Sequence, residues 1–108
     1  MQLNDLVGGA PPTGLSPDTT EVQLLLGQMY LNKGEFTQAF GMFAVAAQSG
    51  QAKALNMLGR AYEQGWGVPR SVVQALTYFE AAAVHDYGWA HFNLGDLYLS
   101  GHVLTSNP

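Results

Sequence analysis

A leucine-glycine pair followed three residues later by tyrosine occurs three times in this chain: Leu26-Gly27 with Tyr30, Leu58-Gly59 with Tyr62, and Leu94-Gly95 with Tyr98. The first two copies are 32 residues apart and the last two are 36 apart. A second pattern lies between them. Phe36, Ala39, Phe40, Phe43, Ala46 and Ala47 return 36 residues later as Val72, Ala75, Leu76, Phe79, Ala82 and Ala83. Apolar residues three and four apart form one stripe of a helix, whereas a strand would alternate with period two. Two alternating helical patterns with a period in the thirties define a helical-hairpin repeat, in which each unit buries its apolar side against its neighbours.

The pattern predicts five helices. Ser16-Pro17-Asp18 opens the first with a hydroxyl cap, a proline in the first turn and an acid near the positive end. Its expected stripe is Val22, Leu25, Leu26, Met29 and Tyr30, and Gly34 ends it. The second begins near Phe36 and stops at Gly50. The third runs from about 52 to 64, the fourth from 71 to 85 and the fifth from 88 to 100. Residues 1–15, with three glycines and two prolines, read as a mobile arm. Gly27, Gly59 and Gly95 fall inside helices, where glycine costs about 1 kcal/mol relative to alanine. The recurrence makes sense where another helix crosses too closely for a side chain. Between the third and fourth helices stands Gly65-Trp66-Gly67-Val68-Pro69. It follows a helix rather than a strand, and the nearest following cation is Arg70, so it reads as a corner and not a phosphate loop. Trp66 either packs across that corner or serves as an interface anchor.

The series Ala54, Leu58, Gly59, Tyr62, Gly65, Gly67, Val68, Ala75, Tyr78, Phe79, Ala82 and Ala83 resembles the Sel1-like repeat, a relative of the tetratricopeptide repeat with a longer turn in each hairpin. The hairpin of residues 19–50 has the short turn and is more similar to an ordinary tetratricopeptide unit, through Leu26, Gly27, Tyr30, Ala39, Phe43 and Ala46. A third copy begins at Ala90, with Leu94, Gly95, Tyr98, Gly101 and Val103, and stops before a second helix. The resemblance implies an all-α, right-handed α-α solenoid over residues 16–108: a hairpin at 19–50, another at 51–86 and an incomplete repeat at 87–108. Asp86-Tyr87-Gly88 departs from the family's single glycine there, and Ser100 stands where the third turn should have its first glycine. A half repeat leaves an apolar side that a further helix normally covers. A longer array, residues 101–108 folding back, or another chain would each cover it. The expectation is a piece of a longer array or an oligomer, with two-fold self-association through the C-terminal end.

Chemistry finds no foothold. Cysteine is absent, and His85, His91 and His102 form no ligand motif. His91 and Asp96 are five apart, which is poor same-face spacing. Glu63, Glu80, Asp86 and Asp96 lie on separate segments, so a paired-acid site has no local support. The reading is a non-catalytic chain without metal or cofactor. Four Lys and Arg in a chain of net charge −4 give no footprint for nucleic acid. No apolar stretch is long enough to span a membrane, and the start lacks the pattern of a signal peptide. Binding of a protein partner remains. The tetratricopeptide likeness implies that the first helix of each pair lines a concave face. By position, that face takes Glu21, Leu24, Gln28, Leu31 and Asn32, then Lys53, Asn56, Arg60, Glu63 and Gln64, then Trp89, Phe92, Asp96 and Leu99. Lys53 and Arg60, seven residues apart, either receive a peptide carboxylate or stand solvated as two cations.

Overall fold

The computed structural model describes residues 17–100, with side chains from residue 19 onward. The expected arm at 1–15, the cap at Ser16 and the turn after Ser100 lie outside that range. Five helices follow one another: α1 Pro17–Asn32, α2 Phe36–Ala47, α3 Ala52–Gln64, α4 Val72–Ala83 and α5 Gly88–Leu99. No strand occurs among the described residues. Each helix packs on the next in order, and α3 also touches α5. This is an all-α helical-repeat solenoid.

Glycines end the helices where the chain must reverse. Gly34 takes φ +78, and the Gly34 and Glu35 amides donate back to the Leu31 and Tyr30 carbonyls at 3.0 and 2.9 Å. Gly65 (φ +76) ends α3, with its amide and that of Trp66 both donating to the Ala61 carbonyl at 2.8 Å. Ser71 then caps α4, its Oγ accepting from the Gln74 amide at 3.1 Å. At the end of α4 the left-handed position is filled by Asp86 (φ 59), 36 residues after Gly50 (φ 78). The departure seen in the sequence is therefore resolved in place: Asp86 serves as the turn residue, and Gly88 opens α5.

Phe43 and Phe79 are each fully buried, between Ala39 and Ala46 and between Ala75 and Ala82, all likewise inaccessible. A Cβ at Gly27 would come 2.5 Å from the Phe43 ring, and one at Gly59 would come 2.6 Å from the Phe79 ring. The close crossings expected of these two glycines are present. The corner is equally tight. A Cβ on Gly67 (φ +76) would lie 2.5 Å from the Phe36 carbonyl oxygen, so the corner rests directly on the backbone at the start of α2. Trp66 packs against the first core cluster, 6.3 Å from Phe43 between ring centroids, and Arg60 lies 5.2 Å over its ring. Packing across the corner, not exposure, is the role the fold gives Trp66.

The stripe expected for α1 is only partly buried. Val22, Leu25 and Met29 are 53, 63 and 44% exposed, whereas Thr20, Leu24 and Gly27 are covered. The repeat register explains it. Val22 and Met29 occupy the positions of Ala54 and Ala61 in α3, both fully buried, and Ala54 packs into the cluster built by the preceding hairpin. Among the described residues α1 has no helix before it.

Candidate functional site

The side of the solenoid formed by α3 and α5 opens into a groove of about 420 Å³. On α3, Lys53, Asn56, Met57, Arg60, Glu63 and Gln64 recur every three or four residues and so point to one side. Across from them stand Tyr87, Trp89, Phe92, Asn93 and Asp96. Eight of the fourteen residues placed on the concave face from sequence thus meet in this groove. Leu31, Asn32 and Leu99 do not, nor do Glu21, Leu24 and Gln28. The last three line a smaller hollow of about 140 Å³ between α1 and α3, with Leu25, Phe43, Lys53 and Met57. Leu24 is 5% exposed and belongs to the core beneath that hollow.

The groove floor is polar. Asn93 Nδ2 donates to Asn56 Oδ1 at 2.9 Å, and Asn56 is almost wholly buried. That bond joins α3 to α5. It also leaves the amide nitrogen of Asn56 and the carbonyl oxygen of Asn93 with bonding capacity. One wall is aromatic: Trp89 and Phe92 meet edge to face at 6.2 Å and remain 64 and 65% exposed. Large apolar side chains held this far open beside a part-buried amide pair form the kind of surface a partner can cover.

Charges of both signs line the rims. Lys53 Nζ is 3.0 Å from Glu21 Oε2, in a half-exposed pair that ties α3 to α1. The Arg60 guanidinium is spread over Trp66. The two cations therefore do not converge as a pair of free charges; each already has a neighbour. Glu63 has its pKa raised, first by burial and then by the Asp96 carboxylate across the groove, against the lowering effects of Arg60, Gln64 and Arg70. Arg70 also donates from Nε to the Glu63 carbonyl at 2.7 Å, anchoring the corner beside the groove. His91 meets Asp86 at 3.4 Å rather than Asp96. Among the described residues no three His, Cys, Asp or Glu side chains gather to hold a metal, and no helix is long and apolar enough to cross a membrane.

Asn93, Met57 and Tyr87 were not in the sequence-derived set. Asn93 had a signal: it lies four residues after Trp89 and three before Asp96, on the same turn-to-turn face. Its pairing with Asn56 depends on how α5 sits against α3, which no local pattern contains.

A family model for the Sel1 repeat matches residues 52–83 and 90–108, which are α3 with α4 and then α5 onward. The crystal structure of a Sel1 repeat protein from Oxalobacter formigenes is similar at a TM-score of 0.67 and 30% identity. The likeness covers 82% of this chain and 39% of that one, so the chain spans about two fifths of that protein's length.

Proposed function

Because the chain belongs to the Sel1 repeat family, whose members generally mediate protein–protein interaction, we propose that the groove between α3 and α5 binds an extended peptide or a helix of a partner protein. One observation carries this reading: two largely exposed aromatic rings flank a part-buried amide pair inside a single groove. Trp89 and Phe92 supply apolar area at small entropic cost, in the manner of interface anchors. The Asn56–Asn93 pair supplies a donor and an acceptor suited to a peptide group. Lys53, Arg60 and Glu63 on α3 and Asp96 across from them on α5 give a mixed rim, which sets orientation more than affinity. On this reading the groove belongs to the concave face expected of the first helices, and the chain acts as a scaffold without catalysis.

Selection of peptides from a random display library on the immobilised chain tests the proposal. Enriched peptides should lose about tenfold in affinity against Trp89→Ala or Phe92→Ala, the effect of removing a modest anchor. Both variants should keep the wild-type helical circular dichroism, because these rings are mostly in solvent. Peptides that bind both variants as well as wild type would overturn the assignment of this groove.

A further inference from the structure

The groove is not uniform along its length. Two chain reversals separate α3 from α5, so these helices run in the same sense, and the Asn56–Asn93 bond marks facing positions on them. Trp89 and Phe92 lie on the N-terminal side of that bond, and Asp96 lies on the C-terminal side. On α3, Glu63 stands seven residues beyond Asn56, about 10 Å along the axis. The aromatic rings and the two carboxylates therefore occupy opposite ends, with the amides between them.

The acidic end favours a positive charge. Lys53 is held by Glu21 at 3.0 Å, and Arg60 lies 5.2 Å over the Trp66 ring. Arg70 Nε donates to the backbone carbonyl of Glu63. Among the described residues neither Glu63 nor Asp96 is in an ion pair. Burial first, and Asp96 second, raise the pKa of Glu63 in spite of Arg60, Gln64 and Arg70. A carboxylate disfavoured by its own surroundings gains from an added cation. Glu63 and Asp96 also stand in the last turns of α3 and α5, which carry no basic residue and where the helix ends favour positive charge. The amide floor points to a ligand independently. Asn56 is 4% exposed, and its Nδ2 has no hydrogen-bond partner among the described residues. No buried side-chain nitrogen or oxygen among those residues is without a partner, so this nitrogen opens on the groove that Asn56 lines.

Resting on the groove's reading as a peptide site, we infer that the partner segment carries a lysine or arginine whose side chain enters between Glu63 and Asp96, with an apolar residue about three positions away on Trp89 and Phe92. The spacing follows from the helix. Trp89 is seven residues before Asp96, about 10 Å, and an extended chain advances about 3.3 Å per residue. Between the two ends, a carbonyl of the segment accepts from Asn56 Nδ2.

Random dodecapeptides displayed on phage, selected on the immobilised chain, test this. Enriched sequences should share Lys or Arg at that spacing from an apolar residue. Replacing the basic residue of the best synthetic peptide by glutamine should weaken binding about tenfold, the scale of one charged hydrogen bond. Asp96 is exposed, so Asp96→Lys should keep the helical signal. That variant should reverse the preference and bind a glutamate form of the peptide better than the lysine form. Glu63→Gln should shrink the loss caused by the peptide's glutamine. Binding that needs Trp89 and Phe92 but ignores the peptide's charge and Asp96→Lys would overturn the cation site alone and leave the peptide reading standing. Enrichment of acidic residues at that position would do the same. Peptides indifferent to Trp89→Ala and Phe92→Ala, or no enriched peptide, would overturn both.

Discussion

The α3–α4 hairpin and α5 begin from nearly the same sequence and end in different physical states. In the hairpin, a Cβ on Gly59 would lie 2.6 Å from the Phe79 ring and 3.3 Å from the Ala75 carbonyl oxygen. In α5, no described residue lies within 4 Å of a Cβ placed on Gly95. The same residue in the same register is therefore a steric necessity in one helix and a local weakness in the other. What differs is the next helix. A repeat protein distributes stability this way, through nearest-neighbour interfaces, so a unit's worth depends on who stands beside it.

The largest expected effect lies on the covered side, at the corner. Gly67→Ala forces a left-handed backbone on a residue with a Cβ and drives that Cβ into the Phe36 carbonyl. Left-handed strain and overpacking together predict a loss of about 3 kcal/mol. Urea denaturation should show the midpoint falling with an unchanged slope. An unaltered midpoint would mean that the corner does not rest on α2.

Next comes the direct comparison of Gly59→Ala with Gly95→Ala. The first should destabilise by about 2 kcal/mol, because the buried Phe79 ring must shift. The second should stabilise by about 0.5–1 kcal/mol, through helix propensity alone. Opposite signs from identical substitutions would confirm that the adjacent helix decides the matter. If Gly95→Ala also destabilises, something outside residues 17–100 already covers that face.

The smallest effect concerns the groove. Glu63 has a raised pKa in the folded chain, so folding favours its protonated form. Its ordinary value is 4.5. Relative to the neutral side chain, ionised Glu63 weakens the fold as pH rises through the raised value, and this penalty is absent below the ordinary one. Glu63→Gln should therefore raise the melting temperature slightly at pH 7, and the gain should shrink on acidification and vanish below about pH 4.5. A gain independent of pH would trace to packing rather than charge. Asp96→Asn should reduce the gain, because Asp96 is part of the cause.

Much of this architecture was written in the chain's own periodicity. The apolar period, the in-register glycines and the turn glycines specify five helices, their order and the close crossings at Gly27 and Gly59. The α3 boundaries can be read residue by residue, since Gly65 supplies a left-handed stop that few other residues accept. Eight of the fourteen expected partner-facing residues converge because side chains three and four apart share a helix face wherever that helix goes.

Tertiary structure decided whatever depended on a neighbour. Val22 and Met29 look like core residues by pattern and lie exposed, because hydrophobicity states what a residue can bury and not whether a surface is there to receive it. Asp86 replaced a glycine in the turn because the αα corner imposes φ 59 there, and aspartate is among the side chains that tolerate it. The Asn56–Asn93 bond, the Lys53–Glu21 pair and the stacking of Arg60 on Trp66 join residues from different turns or helices, and their distances follow from how the helices pack. Local sequence sets backbone preference and the face each side chain takes. Only the packing of one helix on another turns those faces into a closed core, an open groove or, at Gly95, a place that no described residue covers.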